Sequence, residues 1–304
     1  MQLQCSSWAI FWAIAQGCTP AALAPTDSGS SGASDAAPDA QDAAPPDAHK
    51  LVGPGTDALM ALMKKDDASH YDQAIKAGVK FYPTADGESF YGYWAPSNFS
   101  PKTDGFVVTL PGHDAFASTG FTVWQPSIAA PRNYGIIALQ WWFGTGETAN
   151  DYLTPSAIYP IIQQAISDRG VSGAKVLFEG FSRGAGNTYP IVAMDKASAS
   201  PLFFMTIADS GSKHDDYPPV ADINNLVYGD KPFANTHWIL YCGGLDPDPD
   251  SGCKGMGVTE TWLKGYGATI DLFIQDAEGD HGGFSTRIEN TNKALALYES
   301  MRKL

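Results

Sequence analysis

The pentapeptide Gly180-Phe181-Ser182-Arg183-Gly184 is the stretch of this 304-residue chain with the strongest chemical character. It fits G-x-S-x-G, in which a serine sits on a sharp strand-to-helix turn with its hydroxyl projecting. The glycines have a steric reason: side chains at 180 and 184 would strike neighbouring backbone. The chain has 31 glycines, so the pentapeptide alone could arise by chance. Its flanks argue otherwise. KVLFE before it has the composition of a strand, and AGNTYPIVAMD after it continues as a helix.

A serine hydroxyl becomes a nucleophile when a base takes its proton, and the base needs an acid to orient it. Six histidines are available. His49 lies in a Pro-rich stretch, His70 in an early helix and His237 at the start of a strand; His113 and His214 lie in loops. His281, in EGDHGGF after the last apolar run, has glycine neighbours and no core to pack against, so it is the expected base. The stretch GGLDPDPDSGC after HWILYC offers Asp246, Asp248 and Asp250. Asp246 stands nearest the strand end and is the expected acid. Asp209, in IADSG, is its rival.

Negative charge developing on an attacked carbonyl oxygen needs backbone donors. The amide of Arg183, next after the serine, would be one. The amide of His113, in PGHDAF after GFVVTL, would be the second. The Arg183 side chain could meet an acidic substrate, but the favoured expectation is that it holds its loop through a local salt bridge. Trp141, Trp142 and Phe143, in QWWFGTGETANDYL, could wall an acyl or aromatic pocket or belong to the core. DPDPDSG has aspartates at alternate positions, as a calcium loop does. Its glycine falls one place late, and Gly257 at the twelfth position has no carboxylate, so no metal is expected.

The elements that must position these groups follow from periodicity. Thr56 is expected to cap a helix over ALMALMKK, and a second helix near 70–77 should stop at Gly78. VKFYP and SFYGYWAP, separated by TADGE, read as a hairpin. Then apolar runs at 105–110, 134–140, 175–180, 202–208, 237–242 and 268–274 alternate with helical stretches near 115–130, 155–168, 185–197 and 257–265. A last helix covers about 286–303. The apolar runs are continuous, as strands buried on both faces are. The expected fold class is α/β: a mostly parallel twisted sheet of about eight strands with helices on both faces, over 51–304. In such a sheet the loops after strand carboxyl ends converge on one edge, which would bring Ser182, Asp246 and His281 together.

The first 50 residues have another character. WAIFWAIA, at 8–15, is too short to span a bilayer and reads as the apolar part of a secretory signal within 1–18. AQGC also resembles a bacterial lipoprotein signal, in which Cys18 would carry lipid and anchor the chain to a membrane. Cleavage near Ala22–Ala24 with free release is the alternative. Residues 19–50 are Ala, Pro, Asp, Ser and Gly, and read as a disordered tether. An exported chain, periplasmic, outer-membrane or secreted, sees an oxidising compartment. Setting Cys5 and Cys18 aside leaves Cys242 and Cys253, which are expected to form a disulfide across the loop that carries Asp246. The net charge of −14 argues against nucleic-acid binding.

GFSRG, LPGHD, GGLDPD and GDHGGF, in that order, resemble the α/β-hydrolase superfamily of serine esterases over about residues 79–304. The nearest likeness is to secreted bacterial esterases of the polyhydroxybutyrate-depolymerase and feruloyl-esterase kind. The resemblance implies an acyl-serine mechanism on an ester substrate, without cofactor. A serine peptidase of the prolyl-peptidase type shares these motifs. A surface-anchored binding protein on the same scaffold, without turnover, is the reading from another class.

Overall fold

The computed structural model describes residues 53–303 apart from 172, 174 and 175. The expectations for the signal, the tether, His49 and Cys18 lie outside the described residues.

Two helices open the described part: α1 (Thr56–Asp66) and α2 (Ala68–Ala77). α2 ends as expected, with Gly78 in the left-handed region at φ 90°. Thr56 is not the cap of α1. Gly55 holds that place, and the Thr56 hydroxyl donates instead to the carbonyl of Ser89. That bond ties the helix to the turn of the hairpin β1 (Lys80–Pro83) and β2 (Phe90–Trp94), which pair antiparallel.

The remaining order is β3 (Phe106–Leu110), α3 (Ala117–Val123), α4 (Pro126–Ala129), β4 (Gly135–Leu139), α5 (Pro155–Asp168), β5 (Val176–Phe181), α6 (Arg183–Ala197), β6 (Phe203–Asp209), α7 (Pro218–Asn224), β7 (His237–Gly243), α8 (Cys253–Gly265), β8 (Thr269–Asp276), α9 (Gly283–Thr286) and α10 (Ile288–Met301). The helix expected over 115–130 is two pieces, because Pro126 cannot continue the hydrogen-bond ladder of α3. The eight strands form one sheet in the order β1-β2-β4-β3-β5-β6-β7-β8. β2 runs antiparallel to β4; every pairing from β4 to β8 is parallel.

The chain moves from β3 to β4 in one direction, then returns past β3 to β5 and on to β8. Right-handed crossovers therefore place α3 on one face and α6 and α8 on the other. All residues of β3 and β4 are buried, as a strand covered on both sides requires. The edge strand β8 is mostly half-exposed. The reversal lies between β3 and β5. In open α/β sheets the crevice at such a reversal, beyond the carboxyl ends of the strands, is where ligands bind.

Candidate active site

Ser182 stands between the end of β5 and the first residue of α6, with φ 55° and ψ −120°. A non-glycine residue holds such angles only where its surroundings over-determine them. The neighbours here do so. A Cβ on Gly180 would lie 2.4 Å from the Gly184 carbonyl oxygen, and one on Gly184 would lie 2.3 Å from that of Leu110. Both are shorter than any Cβ contact allows, so the two glycines of the pentapeptide are required by space. A third was not legible in the motif: a Cβ on Gly211 would lie 2.1 Å from the Ser182 carbonyl oxygen. The loop after β6 thus cups the turn, and the Ser182 amide donates to the Asp209 carbonyl at 2.7 Å.

The structure brings three of the expected side chains into one chain of hydrogen bonds. His281 Nε2 lies 2.9 Å from Ser182 Oγ, and His281 Nδ1 lies 2.7 Å from Asp246 Oδ2. An ionised carboxylate only accepts, so Nδ1 carries the proton. Nε2 is then the lone pair that receives the serine hydroxyl. The Asp246 side chain is fully buried and that of His281 one-third exposed, at 0% and 33%. The second oxygen of Asp246 accepts the Asp248 amide at 3.0 Å. The Phe181 ring packs beside the imidazole, 5.0 Å between centroids.

Asp209, the rival acid, turns elsewhere. Its carboxyl accepts from the Ser210 hydroxyl at 3.0 Å and is 2% exposed. Burial, and then the neighbouring Glu179 carboxyl, pushes it well above the ordinary carboxylate range. Glu179 is equally buried, accepts from Thr109 and from Trp124 Nε1, and is pushed by desolvation up to about 7. Two buried acids therefore lie beneath the serine turn. Glu179 sits inside the KVLFE run, where its neighbours read only as strand, so nothing in the sequence marked it.

Cys242 and Cys253 are joined by a disulfide, from the end of β7 to the start of α8. It closes the loop that carries Asp246. Asp248 is spent on that loop: it accepts the Asp250 amide at 3.0 Å and the Ser251 hydroxyl at 2.7 Å.

On the other side of Ser182 lies the loop after β3. Gly112 is packed so that a Cβ there would meet the Ser182 Cβ at 3.3 Å. The amides of Arg183 and His113 have no hydrogen-bond partner among the described residues. That of Arg183 opens α6, where helical amides lack intrahelical acceptors. The Arg183 side chain departs from expectation. It forms no salt bridge among the described residues; its guanidinium lies over the Tyr152 ring at 4.5 Å and donates to the Glu147 carbonyl at 3.2 Å. Two of the carboxylates nearby have other partners. Asp151 accepts from the Thr148 amide and hydroxyl, and Asp114 meets the Tyr152 hydroxyl.

Trp141, Trp142 and Phe143 are brought near this loop but are buried, at 2%, 8% and 9% exposure. Trp141 donates through Nε1 to the Pro111 carbonyl at 2.9 Å, and Trp142 to the Gly146 carbonyl at 2.9 Å. The tryptophan rings brace loops from within. His113 contributes its ring to a contact with Tyr152, and burial, then the Arg183 charge, lowers its pKa. Tyr152 was absent from the sequence reading; a tyrosine in a polar loop carries no signal of its partners.

A comparison with protein-family models finds no match, and one with curated proteins finds none either. Solved structures do match. An esterase called E25 aligns with a TM-score of 0.54 at 14% identity, over 80% of this chain and 84% of its own. The esterase of Pyrobaculum calidifontis aligns at 0.54 and 10%, over 81% and 92%. Esterase LipW of Mycobacterium marinum aligns at 0.51 and 13%, over 81% and 88%. These likenesses do not bear on the finer resemblance to polyhydroxybutyrate depolymerases and feruloyl esterases. At such identities they carry architecture rather than chemistry, and together with the strand order they establish that the chain has the α/β-hydrolase fold.

Proposed function

We propose that this protein is a serine hydrolase that cleaves carboxylic esters through an acyl-serine intermediate. The observation that carries the reading is the hydrogen-bonded series Ser182–His281–Asp246 at 2.9 and 2.7 Å. Ser182 Oγ attacks the ester carbonyl carbon while its proton passes to His281 Nε2. The Asp246 carboxylate holds the tautomer and stabilises the imidazolium. The carbonyl oxygen, now carrying the negative charge, takes hydrogen bonds from the Arg183 and His113 amides. The C–O bond to the alcohol breaks, and His281 returns the proton to the leaving oxygen. Water, deprotonated by the same imidazole, then displaces Ser182 and frees the acid. No step calls for a cofactor or metal.

The esterase names of the structural neighbours favour ester over amide. One neighbour is an acylaminoacyl peptidase of Pyrococcus horikoshii, matched at a TM-score of 0.52 and 15% identity over 41% of its length. Amide cleavage is therefore the second reading, and matched ester and anilide substrates separate the two. The apolar run at 8–15 and the pair Cys242–Cys253 support export, with Cys18 as the proposed lipid anchor.

The test is a fluorophosphonate probe on the purified, oxidised protein, read by peptide mass. One adduct on Ser182 that disappears in His281→Ala is expected. A folded sample without adduct would overturn the reading and favour a binding protein on the same scaffold.

A further inference from the structure

The two backbone amides assigned to the anion pocket come from different segments, and one side chain touches residues of both segments. Tyr152 follows a single 3₁₀ turn, Ala149–Asp151, and forms an isolated antiparallel bridge with Trp142. Its hydroxyl accepts the Asp114 amide at 3.2 Å, and lies 2.7 Å from His113 Nδ1 and 3.0 Å from Asp114 Oδ1. Its ring packs against Trp141 at 4.7 Å and carries the Arg183 guanidinium at 4.5 Å. Asp114 has φ 51°, a left-handed conformation that a non-glycine keeps only with outside support. Two of the hydroxyl's contacts supply it. Burial pushes the Tyr152 phenol up to about 12, so near neutral pH the hydroxyl keeps its proton and can both donate and accept.

We propose that Tyr152 is the positioning residue of the anion pocket. Its hydroxyl fixes the backbone of His113 and Asp114, its ring fixes Arg183, and the two amides are thereby aimed at one oxygen. The inference rests on the acyl-serine reading. It goes beyond that reading in naming a residue that touches neither substrate nor the reacting atoms. A tyrosine that merely filled the core would contribute to stability alike in the free enzyme and the transition state. A positioning tyrosine acts where the oxygen carries charge.

The experiment uses the full chain and p-nitrophenyl acetate, with Tyr152→Phe and Tyr152→Leu. A second readout is inhibition by phenylboronic acid. Its boron accepts an electron pair from Ser182 Oγ, the serine proton passes to His281, and a tetrahedral anion results. Loss of one direct oxyanion donor costs about 10²- to 10³-fold in kcat, so misalignment of donors should cost less. Tyr152→Phe, which keeps the ring, is expected to lower kcat about tenfold with KM within about threefold. Tyr152→Leu, which also loses the Arg183 stack, is expected to lower it about a hundredfold. Boronate affinity should fall by the same factors.

Unchanged kcat in Tyr152→Phe overturns the proposal, as does a loss of kcat with boronate affinity intact. If neither variant folds, Asp114→Ala cuts the other end of the link. It must then lower kcat at unchanged KM, and unchanged kcat overturns the proposal. Turnover surviving in Ser182→Ala would sink the acyl-serine reading itself. Turnover lost there but whole in Tyr152→Phe sinks only the inference about Tyr152.

Discussion

The two sides of Ser182 are fastened by different means. On the side of the proposed acid and base, the loop between β7 and α8 is closed by the Cys242–Cys253 disulfide and by turns in which Asp246 and Asp248 accept amides two residues on. On the side of the proposed anion pocket, the loop after β3 has no covalent tie among the described residues. It is held by Trp141 on the Pro111 carbonyl, by Tyr152 on His113 and Asp114, and by contact with Ser182 itself. The first side presents charge through two side chains, whose lengths tolerate small shifts of backbone. The second presents backbone amides, which have no such slack. Tight ring packing suits that need, because close-packed interiors resist displacement.

The largest effects should come from the reacting groups, where the comparison is broken outright. Ser182→Ala or His281→Ala is expected to lower kcat by about 10⁵- to 10⁶-fold, and Asp246→Asn by about 10⁴-fold, with KM little changed. Steady-state hydrolysis of p-nitrophenyl acetate checks both. A smaller loss in Asp246→Asn, near tenfold, would mean that another group orients the imidazole. Gly184→Ala comes next. The added Cβ would sit 2.3 Å from the Leu110 carbonyl oxygen and 2.8 Å from that of Pro111. That atom pushes directly on the loop of the anion side, so the variant is expected to lose fluorophosphonate labelling even where it retains native circular dichroism. Normal labelling in Gly184→Ala would show that the turn yields more than its spacing suggests.

The same contrast explains what could be read from the sequence. The strands stood out because parallel strands covered on both faces are continuous apolar runs; β3 and β4 are buried along their lengths, and β5 up to its last residue. Ser182, Asp246 and His281, which the structure brings together, could be picked out because each follows an apolar run and has glycine or proline within two residues. The disulfide was legible by counting cysteines. The anion side was not. Trp141 and Trp142 have the composition of a pocket wall and serve as braces, a difference set by where their N–H groups point. Tyr152 and Glu179 act through partners dozens of residues away, and no local pattern encodes such a contact. The Thr56 cap failed for a like reason: a hydroxyl that could have closed its own helix is taken by the Ser89 carbonyl.

Removing the covalent tie sharpens the comparison. Cys242→Ser with Cys253→Ser frees a closed loop with a sequence separation of 11. In the chain-entropy model this costs about 3 kcal/mol of stability. The acid–base side should suffer locally as well. The expected outcome is a lower urea midpoint together with a fall in kcat, since Asp246 rides on the released loop. The Trp141→Phe variant, which removes one brace of the other side, should lower kcat and also the midpoint, since it shrinks a buried ring and leaves the Pro111 carbonyl without its donor. If the cysteine variant kept full kcat, the hydrogen-bonded turns alone would be holding the acid.

The smallest expected effect tests the floor that both sides share. Glu179 lies under the serine turn with its carboxyl raised from 4.5 to about 7, chiefly by burial. A raised carboxyl binds its proton more tightly in the folded chain than in the unfolded one. Between pH 4.5 and about 7 the folded chain therefore holds the extra proton, and stability declines as pH rises through that window. Above it the ionised, buried group costs up to about 3 kcal/mol. Glu179→Gln has no proton to lose, and its amide oxygen can still accept from Thr109 and Trp124. Its urea midpoint should decline less steeply from pH 5 to 8 than that of the parent protein, the remaining slope coming from the buried Asp209, so the variant should be the more stable at pH 8. A parent protein as flat as the variant would mean that the carboxyl finds a compensating donor on ionising. Asp209, beside it and raised in the same direction, is the group that would then hold the shared proton.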